Sequence, residues 1–189
     1  LLLFNSEGNL VNHHRKLMPT YTEKMLYGHG DGQGLKTVDT GFGEIGGLIC
    51  WEHWMPMARL AMHDEGEDLH IALWPFVKEM HHIAARHYAI EGRCHVVSVG
   101  QIMDKSELPN GLKISESVAP DGPLLLQGGS AVYGPTGEYI FEPLARKREM
   151  IVLDLDLGIN IQERMNLSVS GHYQRHDIFN YTVNKERKN

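Results

Sequence analysis

The sequence predicts an α/β protein built around a largely parallel sheet. Three observations carry that prediction. Residues 44–49, 69–74 and 94–99 are short apolar runs of strand length. Residues 54–63 and 78–91, which separate them, repeat their apolar positions with a helical period. The connections are short, so the order strand, helix, strand, helix, strand reads as consecutive βαβ units.

The elements follow in chain order. Leu1 to Phe4 is apolar, the stretch Asn5-Ser6-Glu7-Gly8-Asn9 supplies turn chemistry, and Leu10 and Val11 resume, which reads as strand, turn and strand. Thr20 to Glu23 opens a short helix, and residues 28–34 form a glycine-rich loop. Residues 37–40 and 44–49 read as strands on either side of Gly41-Phe42-Gly43. In the first long helix Trp54, Met57, Ala58, Ala61 and Met62 share a face, and Pro56 suits the first turn, where its missing N–H costs nothing. In the second, Met80, Ile83, Ala84, His87 and Tyr88 lie to one side, and Gly92 ends it. Residues 102–128 have weak periodicity and three prolines, so they read as a long loop. Residues 130–133 and 138–141 read as a hairpin around Gly134-Pro135-Thr136-Gly137, and residues 150–155 as a further strand. Residues 171–189 carry few core signals and read as a tail.

Composition narrows the function. With 189 residues and 42% hydrophobic content, the chain supports one domain with a real core. A net charge of -6 argues against a nucleic-acid binder, whose affinity rests on a basic surface. No apolar stretch approaches the ~20 residues that cross a bilayer. Two cysteines, Cys50 and Cys94, make no disulfide framework, and reduced thiols in a cytoplasmic protein are the simpler reading. Among the twelve histidines, His13-His14 and His81-His82 are adjacent pairs that do not face one way on a strand or helix, and no Cys-x-x-Cys occurs, so no metal site is expected.

Cys50 carries the chemical interest. It stands where a buried strand gives way to a helix, in "GGLICWEHW". A side chain on that bend projects from the carboxyl ends of the strands. The following helix offers N–H groups and a positive dipole end, which favour a thiolate. A buried packing cysteine is the competing reading. Lys16 lies at the end of an apolar strand, where a lysine is ordinarily solvated. Thr20 and Glu23 have the spacing of a capping box, which alone accounts for Glu23. Trp51, Trp74, Pro75 and Phe76 read equally as pocket lining and as core.

Taken together, "HRKLMPTYTEKMLYG", "CWEHWMP", "GEDLHIALWP" and "HYAIEGRC" resemble the nitrilases of the carbon–nitrogen hydrolase superfamily. The resemblance runs from Leu1 to "GHYQRHD", and the trio Trp51-Glu52-His53 is similar to nitrilases proper. It implies an α-β-β-α sandwich and a Glu–Lys–Cys triad, with Cys50 as nucleophile, Lys16 as the lysine and Glu23 as a second glutamate that orients the site. It further implies that Trp51, Glu52, His53, Trp74, Pro75 and Phe76 bound the substrate site, that no cofactor is used, and that the substrate is a small nitrile. Relatives assemble into homo-oligomers or spirals, for which the second long helix and the tail are candidate surfaces. The chain starts at Leu1 within a strand, so it is expected to be the C-terminal portion of such an enzyme, with the general-base glutamate upstream. An amidase, a cyanide-hydrolysing relative and a catalytically silent fragment stay open as alternatives.

Overall fold

The computed structural model describes residues 1–112 and 122–188. Its first strands, β1 (Leu2–Phe4) and β2 (Leu10–His13), pair antiparallel. Asn5 closes the turn between them: its side-chain oxygen accepts from the N–H groups of Glu7 and Asn9 at 3.1 and 2.8 Å. Thr20 then opens a single 3-10 turn, Tyr21–Met25, and a second one, Gly32–Gly34, sits in the glycine-rich loop.

The main sheet begins with β3 (Val38–Asp39), antiparallel to β4 (Glu44–Ile49). Next come α1 (Pro56–Asp64), β5 (Leu69–Trp74), α2 (Glu79–Gly92) and β6 (His95–Gly100). β4, β5 and β6 are parallel neighbours. The sheet is extended by β7 (Ile102–Asp104), β8 (Leu124–Tyr133) and β9 (Tyr139–Ala145), giving seven strands in the order β3-β4-β5-β6-β8-β7, with β9 on β8. A last helix, α3 (Gly158–Asn166), follows.

Two successive crossovers stepping the same way across a sheet place both helices on one face, because each crossover is right-handed. The burial pattern agrees. Along β5, His70, Ala72 and Trp74 are buried, while Leu69, Ile71 and Leu73 are half-buried. Leu48, Ala72, Val96 and Ala131 meet Ala58, Ala61, Met62, Ala84, Ala85 and Tyr88 in one core. The β1–β2 hairpin lies on the other face, where the Leu1 side chain crosses Gly47. That face also carries a cavity of about 530 Å³ lined by Val97, Val99, Ile102, Phe141, Leu153 and Leu155, among others.

Both long helices turn differently from the expectation. Trp54 and Met57 are exposed, and α1 buries only Ala58, Ala61, Met62 and His63. On α2, Met80, Ile83 and His87 face outward, while His81, His82, Ala84, Ala85, Tyr88 and Ala89 are buried. On both helices the buried stripe includes histidines, His63 on α1 and His81 and His82 on α2, which a search for apolar periodicity passes over. Gly92 is the last helical residue, and the left-handed cap is Arg93, with φ +49°. Residues 102–128, expected as loop, hold β7 and the start of β8, while residues 113–121 of that stretch lie outside the described ones. Residues 150–155, expected as a strand, join no ladder and run against the sheet face as a cavity wall. α3 was not anticipated. It buries a single side chain, Asn160, and is held by polar groups: Asn160 donates to Asp68 O at 2.9 Å, and Arg93 pairs with Glu163 at 3.1 Å.

The tail forms no regular element beyond turns but folds back. Val183 packs against the core, and Arg187 reaches the buried Asp31 at 3.2 Å. Among the described residues no helix is long and apolar enough to cross a membrane.

Gly34 shows how tightly the site's supporting loop is seated. A Cβ there would stand 2.3 Å from His14 Cα, whereas one on Gly28 would meet nothing. Gly34→Ala is expected to lower stability by about 1–3 kcal/mol. Gly28→Ala is expected to stay within about 0.5 kcal/mol, as surface changes do. Urea unfolding of the two variants beside the unchanged chain checks this.

Candidate active site

β4 ends in a sharp reversal. Cys50 has φ +55°, a left-handed conformation that is uncommon and costly for a side-chain-bearing residue, and it opens the 3-10 turn Cys50–Trp54. Such strain persists only where the surroundings over-determine it. Here two buried side chains of the same turn do so. His53 Nδ1 donates to the Cys50 carbonyl at 2.7 Å. Glu52 accepts from the Ile49 N–H at 2.6 Å, which folds the turn back onto the strand that precedes it.

Glu52 does more than close its own turn. Its carboxylate also accepts from the Leu17 N–H at 2.6 Å and from His14 Nε2 at 2.9 Å. Leu17 is the neighbour of Lys16, so this one buried carboxylate ties the lysine's backbone to the cysteine's turn. Burial acts to raise the Glu52 pKa, but the bonds from His14, Leu17 and Ile49 outweigh it and hold the carboxyl below its usual range.

Lys16 is aimed by the turn that follows. Its ammonium donates to Glu23 Oε2 at 2.5 Å and to Thr20 Oγ1 at 2.9 Å. The same Glu23 oxygen accepts from the Thr20 N–H at 2.6 Å. The glutamate therefore bonds to the turn and to the lysine together.

The Cys50 thiol is 8% exposed. Burial is the largest influence and raises its pKa; the Lys16 charge and the Trp51 N–H pull it down, and Glu23 and Glu52 push it up. The balance is a raised value, so the resting group is a thiol. The expected help from a helix dipole is weak, because only a 3-10 turn follows directly and α1 starts at Pro56. Cys94 is fully buried, and burial drives its thiol well up.

Two open cavities flank this arrangement. One of about 550 Å³ is lined by Lys16, Glu23, Pro19, Tyr27 and His29 among others. One of about 380 Å³ is lined by Thr20, Tyr21, Trp51 and Trp54 among others. Of the residues expected to bound the substrate site, Trp51 is half-exposed on a cavity wall and Pro75 is exposed. Phe76 lies under the Lys78 ammonium, 4.9 Å from its ring centre. Glu52, His53 and Trp74 are buried, with Trp74 stacked on His53 at 4.5 Å; Glu52 reaches the wall of the smaller cavity, while His53 and Trp74 lie behind the turn and line neither. His14 was passed over as one of an adjacent histidine pair. Strand alternation sends it inward and leaves His13 exposed. Among the described residues no group of three or more His, Cys, Asp or Glu side chains is arranged to hold a metal ion.

The carbon-nitrogen hydrolase family profile matches residues 1–161. The chain belongs to that family. It is 35% identical to an aliphatic nitrilase of Sinorhizobium fredii (strain HH103) over 187 residues, covering 99% of this chain and 60% of that protein. It is 34% identical to nitrilase 3 of Arabidopsis thaliana, covering 99% and 55%. It thus spans little more than half the length of these relatives. Among solved structures, the carbon-nitrogen hydrolase of Helicobacter pylori G27 superposes with a TM-score of 0.73 at 22% identity, covering 94% of this chain and 62% of that one. That likeness establishes the carbon-nitrogen hydrolase fold, of which the helix-backed sheet and the hairpin on its opposite face are the parts seen here.

Glu52 sets the first test of this geometry. Removing one partner of a buried, bonded charge costs about 3–5 kcal/mol, and Glu52→Gln is expected to lose that much at neutral pH. A carboxylate held below its usual pKa contributes stability that is present above the unfolded value, near 4.5, and lost as pH falls through the folded one. The gap between unchanged chain and variant should therefore narrow below about pH 4. Denaturant unfolding from pH 7 down to pH 3 reads both.

Proposed function

We propose that this carbon-nitrogen hydrolase is a thiol hydrolase that converts a nitrile to a carboxylic acid and ammonia, with Cys50 as nucleophile. The observation that carries the reading is the strained Cys50 at the carboxyl end of β4, within the field of a lysine pinned by Glu23 and Thr20. The nitrilase relatives at 34–35% identity support a nitrile as substrate.

The Cys50 sulfur attacks the nitrile carbon as its proton leaves, and a thioimidate forms. Water adds, ammonia departs and a thioester remains. A second water releases the acid and returns the thiol, so two waters are consumed for one acid and one ammonia. Because burial raises the thiol's pKa, a base must take its proton during attack. Family resemblance assigns that base to a glutamate that this sequence does not contain. Lys16 stabilises the anionic tetrahedral stages, and Glu23 keeps its ammonium charged and aimed. Trp51, Pro75 and Phe76 border the substrate; Glu52, His53 and Trp74 hold the nucleophile turn from behind. No cofactor enters. Residues 171–189 and α2 are the surfaces through which copies would assemble, and a cytoplasmic location fits two unpaired thiols.

Aromatic, arylacetyl and aliphatic nitriles, an amide and cyanide, assayed side by side for ammonia, test the substrate class. Hydrolysis of the amide alone would overturn the nitrile assignment. In a complete enzyme carrying this sequence, Cys50→Ala is expected to abolish turnover and Cys94→Ala to leave it nearly unchanged. Lys16→Met is expected to lower kcat by about 10²–10³, the scale for loss of one stabilising group. Mass spectrometry with a slow nitrile should find the acyl adduct on the Cys50 peptide alone.

A further inference from the structure

Behind the nucleophile turn lies a file of buried groups with no part in the proposed bond changes. His53 Nδ1 is 2.7 Å from the Cys50 carbonyl oxygen. His53 Nε2 is 3.0 Å from His70 Nε2. His70 Nδ1 is 2.8 and 2.9 Å from the two Glu67 oxygens, and the Tyr88 O–H donates to Glu67 Oε2 at 2.6 Å. All four side chains are essentially sealed from water. They come from separate places: the turn after β4, strand β5, the loop ahead of it, and α2.

With both rings held neutral by burial, donor and acceptor rules give this file one direction. A carbonyl oxygen only accepts, so His53 Nδ1 must carry hydrogen. Burial, helped by His70, pushes His53 down to about 3, so the ring is neutral and its Nε2 is a bare acceptor. The hydrogen between the two rings then belongs to His70 Nε2. Burial holds His70 neutral as well, which leaves its Nδ1 as an acceptor. Glu67 must supply that hydrogen bond, and only a carboxylic acid can donate it. The second Glu67 oxygen accepts from Tyr88, so every member has a partner of the right kind. The groups around Glu67 oppose one another: His63 of α1 and Arg164 of α3 favour its ionised form, Asp68 disfavours it, Tyr88 of α2 donates to it, and the Cys94 thiol lies nearby. Burial prevails and pushes the carboxyl up to about 8.

We propose that Glu67 is a positioning residue kept in its acid form: through the fixed tautomers of His70 and His53 it draws the Cys50 carbonyl toward the core and holds the nucleophile in its left-handed conformation. The proposal rests on the reading of Cys50 as nucleophile. Glu67→Gln preserves the file, because the amide N–H₂ donates to His70 and the amide oxygen accepts from Tyr88. Glu67→Leu fills similar volume and breaks it.

The test is the rate of iodoacetamide alkylation at Cys50, followed by peptide mass spectrometry on the full chain with Cys94 as internal reference, beside an infrared difference spectrum of the unchanged chain against Glu67→Gln at pH 7. Glu67→Gln should react within about twofold of the unchanged chain, and Glu67→Leu at least tenfold more slowly. The infrared difference should contain the carbonyl stretch of a protonated carboxylic acid. If Glu67→Leu does not fold, His53→Phe keeps the ring on Trp74 and removes the N–H, and the same loss is expected. A carboxylate band in place of the acid band, or a Glu67→Gln variant as slow as Glu67→Leu, would overturn the acid form. Fast alkylation untouched by Glu67→Leu or His53→Phe would overturn the positioning role alone. A Cys50 no more reactive than Cys94 in the unchanged chain would overturn the nucleophile reading and the positioning role together.

Discussion

The buried carboxylate of Glu52 is the constraint on which the site depends. It gathers donors from two stretches far apart in sequence: His14 at the end of the hairpin with Leu17 beside the lysine, and Ile49 at the end of β4. A carboxylate out of water is tolerated only when its lone pairs are filled. Satisfying it therefore fixes the hairpin relative to the sheet. The lysine and the cysteine lie on different elements, and both elements answer to this one group.

The sheet is divided chemically as well as geometrically. Its helix-covered face holds alanines and small aliphatics, which let α1 and α2 approach, and it also holds the His53, His70 and Glu67 file with Tyr88 closing it. A polar file in such a place would be costly if any member were left unpaired. Each is paired, and the aromatic rings of Trp74 and Tyr88 stack on the imidazoles, so the polar file packs as part of the core. The cysteine's strained backbone is thereby fastened from inside the protein, and the cavities outside it stay open.

Sequence reasoning reached the parts of this structure that are local. The βαβ alternation, the Asn5–Asn9 turn and the hairpin ending β8 each follow from a handful of adjacent residues. Cys50 at a strand end and the Thr20–Glu23 spacing are local too, and Lys16 became legible only when those stretches were read together. What failed to show is what depends on distant partners. Glu52 read as pocket material because nothing near it announces that its donors lie 35 and 38 positions away. Glu67 carried no signal of its own, and His70 sat within residues 69–74, read as an apolar run. The orientation of α2 was misjudged because periodicity follows apolar residues, whereas the buried side of this helix includes His81 and His82. α3 escaped notice because polar groups secure it, and a hydrophobic pattern is blind to them.

The thiol and the lysine are set against each other in a useful way. Burial makes the thiol a poorer acid, and the nearby ammonium offsets only part of that. A site of this kind therefore does not rest as an ion pair. On the proposed mechanism its charge separation arises during attack, when the sulfur loses its proton and the ammonium already stands aimed by Glu23. Preorganisation of that sort requires the lysine to be immobile before substrate arrives. Two acceptors, Glu23 and Thr20, and the tether from Glu52 to the Leu17 backbone meet that requirement without touching the reacting atoms.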